Sequence, residues 1–238
     1  MVDLRLTAGW SGQARRRPLN AGALDRMCPH LIFDLDGTIS DPAIGIARSI
    51  NYALSSFGYP ALPEKSVSHY IGPPVDETFA QITASSSSEH ISALVEKYRE
   101  RYAEVGYSEN VIYPGVVDAL ERLVGRGAPL GLCTLKRMDI AEKILALFGI
   151  REYFQFVNGG DIGTKKERQL RGLLSDGVIN PRSTMIGDRA VDILAAHANG
   201  LRSVAVLWGH GTRAELEAVH PSLLLEAPEQ LLGLENVV

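Results

Sequence analysis

The feature that most constrains the fold of this chain is an alternation of short apolar runs with segments of helical periodicity. Runs of the kind that form buried strands begin at Leu31, Leu130, Phe154, Thr184, Ser203 and Leu223. Apolar residues at helical spacing separate these runs, and Gly149 and Gly200 each follow one of the helical segments. Strands that alternate with helices form a parallel sheet covered on both faces. The pattern therefore predicts an α/β protein with a three-layer, Rossmann-like core.

One segment departs from this alternation. Between residues 44 and 109 apolar residues such as Ile46 and Ile50 recur at helical spacing, and no strand pattern is present. A purely helical block directly after the first strand indicates an inserted domain. We therefore predict an all-helical cap at 44–109 and an α/β core made of residues 28–43 and 110–238.

The first strand ends in a pair of acidic residues. Leu31-Ile32-Phe33 runs into Asp34, and Asp36 follows two positions later, before Gly37 and Thr38. Side chains two residues apart leave a strand on the same side, so both carboxylates point beyond its carboxyl end. Two such charges repel each other unless a metal ion or a proton lies between them. The pair suits a nucleophile beside a general acid, although Asp-Gly is also common in ordinary turns.

Two other uses of this stretch do not fit the residues around it. A calcium loop that started at Asp34 would need glycine where this chain has Ile39, and a bidentate glutamate where it has Gly45. A nucleotide hydrolase would pair the strand with a phosphate loop of the form G-x-x-x-x-G-K-[ST], which the sequence does not contain.

Polar residues also end later strands or begin the helices that follow them. Thr134 closes one apolar run, and Asp188 closes another, with Asp192 about one helical turn further on. Lys165 and Lys166 stand at the start of a helical segment between them. Because parallel sheets bind ligands beyond the carboxyl ends of their strands, we predict that these residues share one site with the first acidic pair.

The composition narrows the class of protein. Its 238 residues, 45% of them hydrophobic and 22% charged, are typical of a globular protein with room for an insertion. The net charge of -4 gives no electrostatic reason to expect nucleic acid, and no apolar run could span a membrane. Cys28 and Cys133 make no disulfide framework, so we expect a cytoplasmic protein, with Cys133 as a buried thiol. Residues 1–27 are predicted to be a weakly ordered extension.

In order and spacing, the polar residues resemble the motifs of the haloacid dehalogenase superfamily of phosphotransferases. Residues 33–38 match its first motif, hydrophobic-Asp-x-Asp-Gly-Thr, and Thr134 matches the second. The pair Lys165-Lys166 falls where the third motif has a phosphate-binding lysine, and residues 187–192 match the fourth, Gly-Asp-x-x-x-Asp. The helical block of residues 44–109 resembles the cap of that superfamily.

Within the superfamily, two segments look like the phosphoglycolate phosphatase branch. These are Ile71-Gly72-Pro73-Pro74 and Val206-Leu207-Trp208-Gly209. The second motif departs from that branch, because Leu135 follows Thr134 where asparagine or serine is common. A contact that orders the backbone or the substrate is therefore absent or replaced.

The third motif leaves two candidates for the phosphate-binding lysine. The branch often has Lys-Pro there, whereas this chain has Lys165 followed by Lys166. The superfamily's lysine stands four residues before an apolar helical stripe, and the stripe here begins at Leu170. This register favours Lys166 and leaves Lys165 open.

The resemblance implies catalytic roles for four of these side chains. Asp34 would attack phosphorus and form a phosphoaspartyl enzyme. Asp36 would protonate the leaving alkoxide and then accept a proton from the water that hydrolyses the intermediate. Thr134 and Lys166 would hold the phosphoryl oxygens.

The resemblance also implies Mg²⁺ as the cofactor. The implied ligands are Asp34, Asp188 and the backbone carbonyl of Asp36. Asp192 would orient the water around the ion and not bind it directly.

The expected substrate is a small phosphorylated metabolite, with phosphoglycolate first and a nucleoside monophosphate close behind. A sugar-phosphate mutase would use the same chemistry, and a monomer or a homodimer is expected. From other classes, a receiver domain and a catalytically silent binding protein stay open. In a receiver the acidic pair would precede the phosphorylated aspartate, which is the reverse of the order here.

The position of the helical block predicts a cap that covers the site and opens and closes against the sheet, whereas the alternative is that its helices simply stabilise one compact domain. The helical block begins after Asp36-Gly37-Thr38 and returns near Tyr113-Pro114-Gly115, so both connections lie close to the acidic pair. Glycine and proline at these points suit a hinge. We expect the loop of residues 71–74 to meet the leaving group.

Overall fold

The computed structural model describes residues 28–63, 70–71 and 74–236, and for residues 235 and 236 only the backbone. The predicted extension at residues 1–27 lies outside this range, as do Gly72 and Pro73 of the loop expected to meet the leaving group.

Eight strands and eight α-helices make up the described chain. In chain order the strands are β1 (Leu31–Phe33), β2 (Ser40–Asp41), β3 (Val111–Ile112), β4 (Leu130–Arg137), β5 (Phe154–Gly160), β6 (Thr184–Gly187), β7 (Arg202–Val206) and β8 (Leu223–Leu225). The helices are α1 (Ala43–Ser56), α2 (Val75–Thr83), α3 (Ser88–Glu104), α4 (Val116–Gly125), α5 (Met138–Leu147), α6 (Lys166–Ser175), α7 (Ala190–His197) and α8 (Arg213–Glu217). Short 3-10 segments cover Gly106–Glu109, Arg151–Tyr153 and Pro228–Asn236.

Six of the strands form one parallel sheet in the order β5-β4-β1-β6-β7-β8. Strand β1 lies at the centre, hydrogen-bonded to β4 on one side and β6 on the other. The chain therefore builds the sheet outward from β1 in two directions, and such a reversal leaves a crevice at the carboxyl ends of the central strands. The predicted three-layer α/β fold is confirmed.

The alternation of side chains along β1 explains why helices cover both faces of the sheet. Leu31 and Phe33 pack into the cluster that contains residues of α4 and α5, whereas Ile32 packs with residues of α6 and α7 on the opposite face. All three side chains are at most 1% exposed, as expected for a strand buried on both sides. Cys133 is buried in the second cluster.

The helices α1, α2 and α3 lie between two strands that the sequence pattern did not predict. Strands β2 and β3 pair antiparallel, with Ser40 opposite Ile112 and Asp41 opposite Val111. Two residues are too few to show a strand period. This pairing holds the two connections of the helical block side by side, next to the end of β1. The division into cap and core stays a prediction.

Within the described residues, we find no helix that is both long enough and apolar enough to span a membrane.

Candidate active site

Three carboxylates meet at the carboxyl ends of the central strands. Asp34 follows β1, Asp188 follows β6, and Asp192 lies in the first turn of α7. Their side chains are buried, and one oxygen of each lies within 4.8 Å of the others. The expectation that these acidic residues share one site therefore agrees with where the structure places them.

A single lysine reaches this cluster. The Nζ atom of Lys166 lies 2.9 Å from Asp34 Oδ1 and also contacts Asp192 Oδ1, and the Lys166 side chain is only 1% exposed. Lys165 is exposed and precedes the first turn of α6 in an extended conformation. The structure thus brings Lys166 into the site and leaves Lys165 outside, while the phosphate-binding role stays a prediction.

The cluster carries more negative than positive charge. Burial, together with repulsion from Asp192 and Asp34, raises the pKa of Asp188 to about 7. Burial also raises the pKa of Asp192, although the ammonium of Lys166 opposes the shift. Three close carboxylates beside one ammonium leave an excess of two negative charges when all are ionised. Buried carboxylate oxygens with that excess charge suit a small divalent cation such as Mg²⁺.

Closely packed backbone holds Asp188 in place. Gly37 adopts φ +81°, and a Cβ atom there would lie 2.1 Å from Asp188 Oδ2. The backbone N–H of His210 donates to Asp188 Oδ2 at 2.8 Å, and the hydroxyl of Thr38 donates to Oδ1 at 3.3 Å. Gly37 and Thr38 are therefore needed for the fit around Asp188, which lies 150 residues after Thr38 in the sequence.

Thr134 lies in β4 with its side chain buried at the edge of the same cavity. Its hydroxyl accepts a hydrogen bond from the backbone N–H of Lys136 at 3.3 Å. Its carbonyl accepts from Gln169 Nε2 at 3.0 Å, which fixes the strand end against α6. The sequence analysis missed Gln169. Gln169 lies three residues after Lys166 on the same helix face, and this spacing was the signal in the sequence that the two side chains lie together.

Asp36 has a partner that the sequence analysis also missed. The Nζ atom of Lys136 lies 2.8 Å from Asp36 Oδ2. Burial raises the pKa of Asp36, the charge of Lys136 opposes that shift, and the charge of Asp34 adds to it. The position of Lys136, two residues after the threonine of the second motif, was the only sequence signal for it.

A cavity of about 180 Å³ lies between the carboxylates and the helical block. The block contributes mainly apolar and aromatic side chains to its wall, among them Ile46, Ile50, Val75, Tyr98 and Tyr102. The site is therefore enclosed by α1 and α3 on one side and by the sheet on the other.

Every cationic side chain in the cavity wall is paired with an acid within the described part of the chain. The pairs are Lys166 with Asp34 and Asp192, Lys136 with Asp36, Arg99 with Asp161, Arg137 with Asp139, and Arg189 with Glu215. The part of a ligand that extends toward the helical block would meet mostly apolar and aromatic side chains, with Arg99 as the charged residue of that wall.

The doubly wound sheet presents three acids and a buried lysine at its central crevice, an arrangement that suits a hydrolase of phosphate esters. Comparison with known proteins identifies the class. Residues 31–206 match the family described as haloacid dehalogenase-like hydrolase, and the chain belongs to that family. Similar proteins include several that are named as phosphatases, and the chain is a phosphatase of this family.

Three relatives and one solved structure show the range of names among similar proteins. A 5'-nucleotidase of Pseudomonas aeruginosa is 37% identical over 82% of this chain and 89% of its own length. A phosphoglycolate phosphatase of Yersinia pestis is 33% identical over 81% and 87%, respectively. The tyrosine-protein kinase PtkA of Mycobacterium tuberculosis is 35% identical over 76% of this chain and 62% of its own length. A putative phosphatase of Clostridium difficile superposes with a TM-score of 0.79 at 34% identity, over 87% and 98%.

Proposed function

We propose that this chain is a Mg²⁺-dependent phosphatase that hydrolyses small phosphomonoesters through a phosphoaspartyl intermediate. The observation that carries the proposal is the position of Asp34, which ion-pairs with Lys166, belongs to the acid cluster, and lines the same cavity as Asp36. Because the chain belongs to a hydrolase family, we propose neither a receiver domain nor a catalytically silent binding protein.

In the first step an Asp34 carboxylate oxygen attacks phosphorus, and the bond from phosphorus to the ester oxygen breaks. Asp36 gives its proton to the departing oxygen, so the alcohol leaves neutral. In the second step a water attacks the phosphorus of the phosphoaspartyl group, the bond from phosphorus to the Asp34 oxygen breaks, and Asp36 takes one of the water's protons. Inorganic phosphate then leaves, and both carboxyl groups return to their starting state.

Lys166 and Thr134 act on the phosphoryl group in both steps. The ammonium of Lys166 lies 2.9 Å from the attacking carboxylate, so it can also reach the oxygens of a phosphoryl group bound there. The Thr134 hydroxyl offers a further hydrogen bond at the end of β4. The Lys136 N–H contacts this hydroxyl and Gln169 holds the Thr134 carbonyl, which reduces the reorganisation needed during reaction.

The acid cluster would hold Mg²⁺, with Asp34, Asp188 and the backbone carbonyl of Asp36 as ligands. When bound, the ion reduces the repulsion between the attacking carboxylate and the phosphate dianion. Both Asp192 oxygens already accept contacts, one from Lys166 and one from the Arg189 N–H at 3.1 Å. We propose that Asp192 orients the water around the ion and does not bind it directly, as the family resemblance implies.

We propose that residues 44–109 act as a cap that contributes to substrate choice. The block lines the cavity and is held to the core by polar contacts around it. The Arg189 guanidinium donates to the Ile71 carbonyl at 2.5 Å, and Arg99 of α3 pairs with Asp161. The antiparallel pairing of β2 with β3 is the structural element about which such a cap would move.

For the substrate, phosphoglycolate and a nucleoside monophosphate both stay candidates, and the apolar cavity wall supports a nucleoside as leaving group. The wall cations Arg99, Lys136, Arg137 and Arg189 pair with acids, as Lys166 does, so a phosphoglycolate carboxylate would share one of these cations with its acid. Tyr98 and Tyr102 stack with ring centroids 5.4 Å apart and offer an apolar surface to a larger leaving group. The relatives include one named 5'-nucleotidase and one named phosphoglycolate phosphatase, so they agree with both candidates.

The test is phosphate release from a panel of nucleoside monophosphates, phosphoglycolate and sugar phosphates, measured with Mg²⁺ and with EDTA. The Asp34→Asn variant keeps the shape of the side chain and cannot form the acyl phosphate, so we expect no measurable turnover from a folded protein. Asp118→Asn, which changes an exposed aspartate of α4, is the matched control and should behave like the wild type. Release by Asp34→Asn at near the wild-type rate would rule out the covalent mechanism.

A further inference from the structure

Lys136 joins the proposed general acid to the helical block. It stands near the end of β4, and its Nζ atom lies 2.8 Å from Asp36 Oδ2. The same atom donates to the Tyr102 hydroxyl at 2.9 Å and lies 4.5 Å from the centre of the Tyr102 ring. Tyr102 belongs to α3, so one lysine of the sheet contacts the acid on one side and the block on the other.

The contact continues to both connections of the block. The Asn110 amide donates to the Tyr102 hydroxyl at 3.2 Å, and the Ser40 hydroxyl donates to Asn110 Oδ1 at 3.2 Å. Ser40 belongs to β2, and Asn110 directly precedes β3. The side chains of Tyr102, Asn110 and Ser40 are all buried. A buried hydrogen-bonded series therefore runs from Asp36 to the point where the block is attached.

The two oxygens of Asp36 have different surroundings. Oδ2 is bound to Lys136, whereas Oδ1 is buried and has no hydrogen-bond partner among the described residues. A carboxylate held at one oxygen presents the other in a defined direction, and Asp36 lines the cavity. Because Oδ1 has no partner, we assign proton transfer to this oxygen, a reaction that depends strongly on how the carboxyl group is oriented.

We propose that Lys136 is a positioning residue for Asp36, and that Tyr102 makes this positioning depend on the contact between the helical block and the sheet. The inference rests on the proposed function. With α3 in place, Lys136 is held by the hydroxyl and the ring of Tyr102 as well as by Asp36. Proton transfer to the leaving group is then most efficient when the substrate is enclosed and water is excluded.

The first test compares alkyl and aryl phosphates. Lys136→Met should lower kcat for alkyl phosphates by about 10- to 100-fold, because they need a well-placed acid. For aryl phosphates, whose leaving groups need little protonation, the loss should be about two-fold. KM should change little, since Lys136 acts through Asp36. An equal loss for both substrate classes would overturn the proposal.

The second test uses Tyr102→Phe, which keeps the ring and removes only the hydroxyl. We expect a smaller loss of the same kind, selective for alkyl phosphates. In the double variant Lys136→Met/Tyr102→Phe the loss should equal that of Lys136→Met alone, because Tyr102 acts through the lysine. Because Tyr102→Phe preserves the packing, this variant also tests the proposal if Lys136→Met fails to fold. A Tyr102→Phe enzyme with the wild-type ratio of alkyl to aryl rates would overturn the proposal.

Lys143 supplies a matched control. It also extends from the core to the block, where its Nζ atom donates to the Ala103 carbonyl at 3.3 Å and lies 5.1 Å from the centre of the Tyr107 ring. It does not line the cavity. Lys143→Met should therefore keep the wild-type ratio of alkyl to aryl rates. If it shifts the ratio as Lys136→Met does, then general docking of the block is responsible and the positioning role is wrong.

These outcomes separate the inference from the proposed function. A wild-type protein that releases no phosphate from any ester of the panel contradicts the proposed function. An active wild type whose ratio of alkyl to aryl rates is unchanged in Lys136→Met contradicts the positioning role alone. Lys136→Arg should recover part of the alkyl rate, because a guanidinium can also hold Asp36.

Discussion

Replacement of Lys166 by methionine removes one charge from the centre of the site with little change in shape. The Lys166 side chain is 1% exposed and pairs with Asp34 at 2.9 Å and with Asp192. Methionine fills a similar volume, so the lost free energy of unfolding is mainly electrostatic. Lys165→Met is the matched control, because Lys165 is exposed and one position away.

The size of the effect follows from the burial of the partners. Removing one member of a buried ion pair costs about 3–5 kcal/mol, because the remaining charge is left uncompensated. Here the cluster can bind protons instead, since the pKa of Asp188 is already raised to about 7 by burial and by Asp192 and Asp34. We therefore expect a loss of about 3 kcal/mol at pH 8 without Mg²⁺, at the lower end of that range.

The free energy of unfolding that Lys166→Met removes should depend on pH. A carboxyl group whose folded pKa is raised binds more protons in the folded than in the unfolded state, so stability falls as pH rises toward the folded pKa. Below pH 6 these carboxyls are increasingly protonated, and the missing lysine matters less. The penalty of Lys166→Met should thus be smaller at pH 5.5 than at pH 8.

The assay is urea unfolding followed by circular dichroism in EDTA at both pH values, together with phosphate release in Mg²⁺. Lys165→Met should stay within about 0.5 kcal/mol of the wild type, as exposed substitutions usually do. Lys166→Met should lose about 100-fold or more in kcat, as expected when a charge that stabilises the transition state is removed. Equal stability of the two variants, or a larger rate loss for Lys165→Met, would refute the reasoning.

Three further predictions follow from the site. Asp36→Asn should slow alkyl phosphates about 100-fold or more and aryl phosphates much less, and equal losses in a steady-state assay would show that Asp36 is not the general acid. Mg²⁺ should raise Tm by about 5 °C at pH 8 and by less at pH 5.5. The reason is that the ion competes with a proton on Asp188, whose pKa is raised to about 7. Equal shifts in Tm at the two pH values in a thermal denaturation series would contradict a site built on this acid. Structures with and without a metal fluoride should differ in the position of residues 44–109, and one unchanged pose would leave the cap without its motion.

Much of the α/β core was predictable because its signals are local. The apolar runs at Leu31 and Leu130 and the helical stripe at Leu170 each report which face of one element is buried. The spacing of the acids at the end of β1 and around the start of α7 depends only on strand and helix geometry. The register of Leu170, compared with the superfamily's third motif, favoured Lys166 and left Lys165 open.

The tertiary structure decided the remaining features, because they depend on contacts between distant segments. Strands β2 and β3 are too short to show a period and form only because they pair with each other. Tyr102 lies 34 positions before Lys136, within the helical block predicted at residues 44–109, yet its hydroxyl contacts that lysine at the cavity wall. Periodicity shows that a face is buried. Which side chain meets which across the cavity is set by how the helical block packs on the sheet.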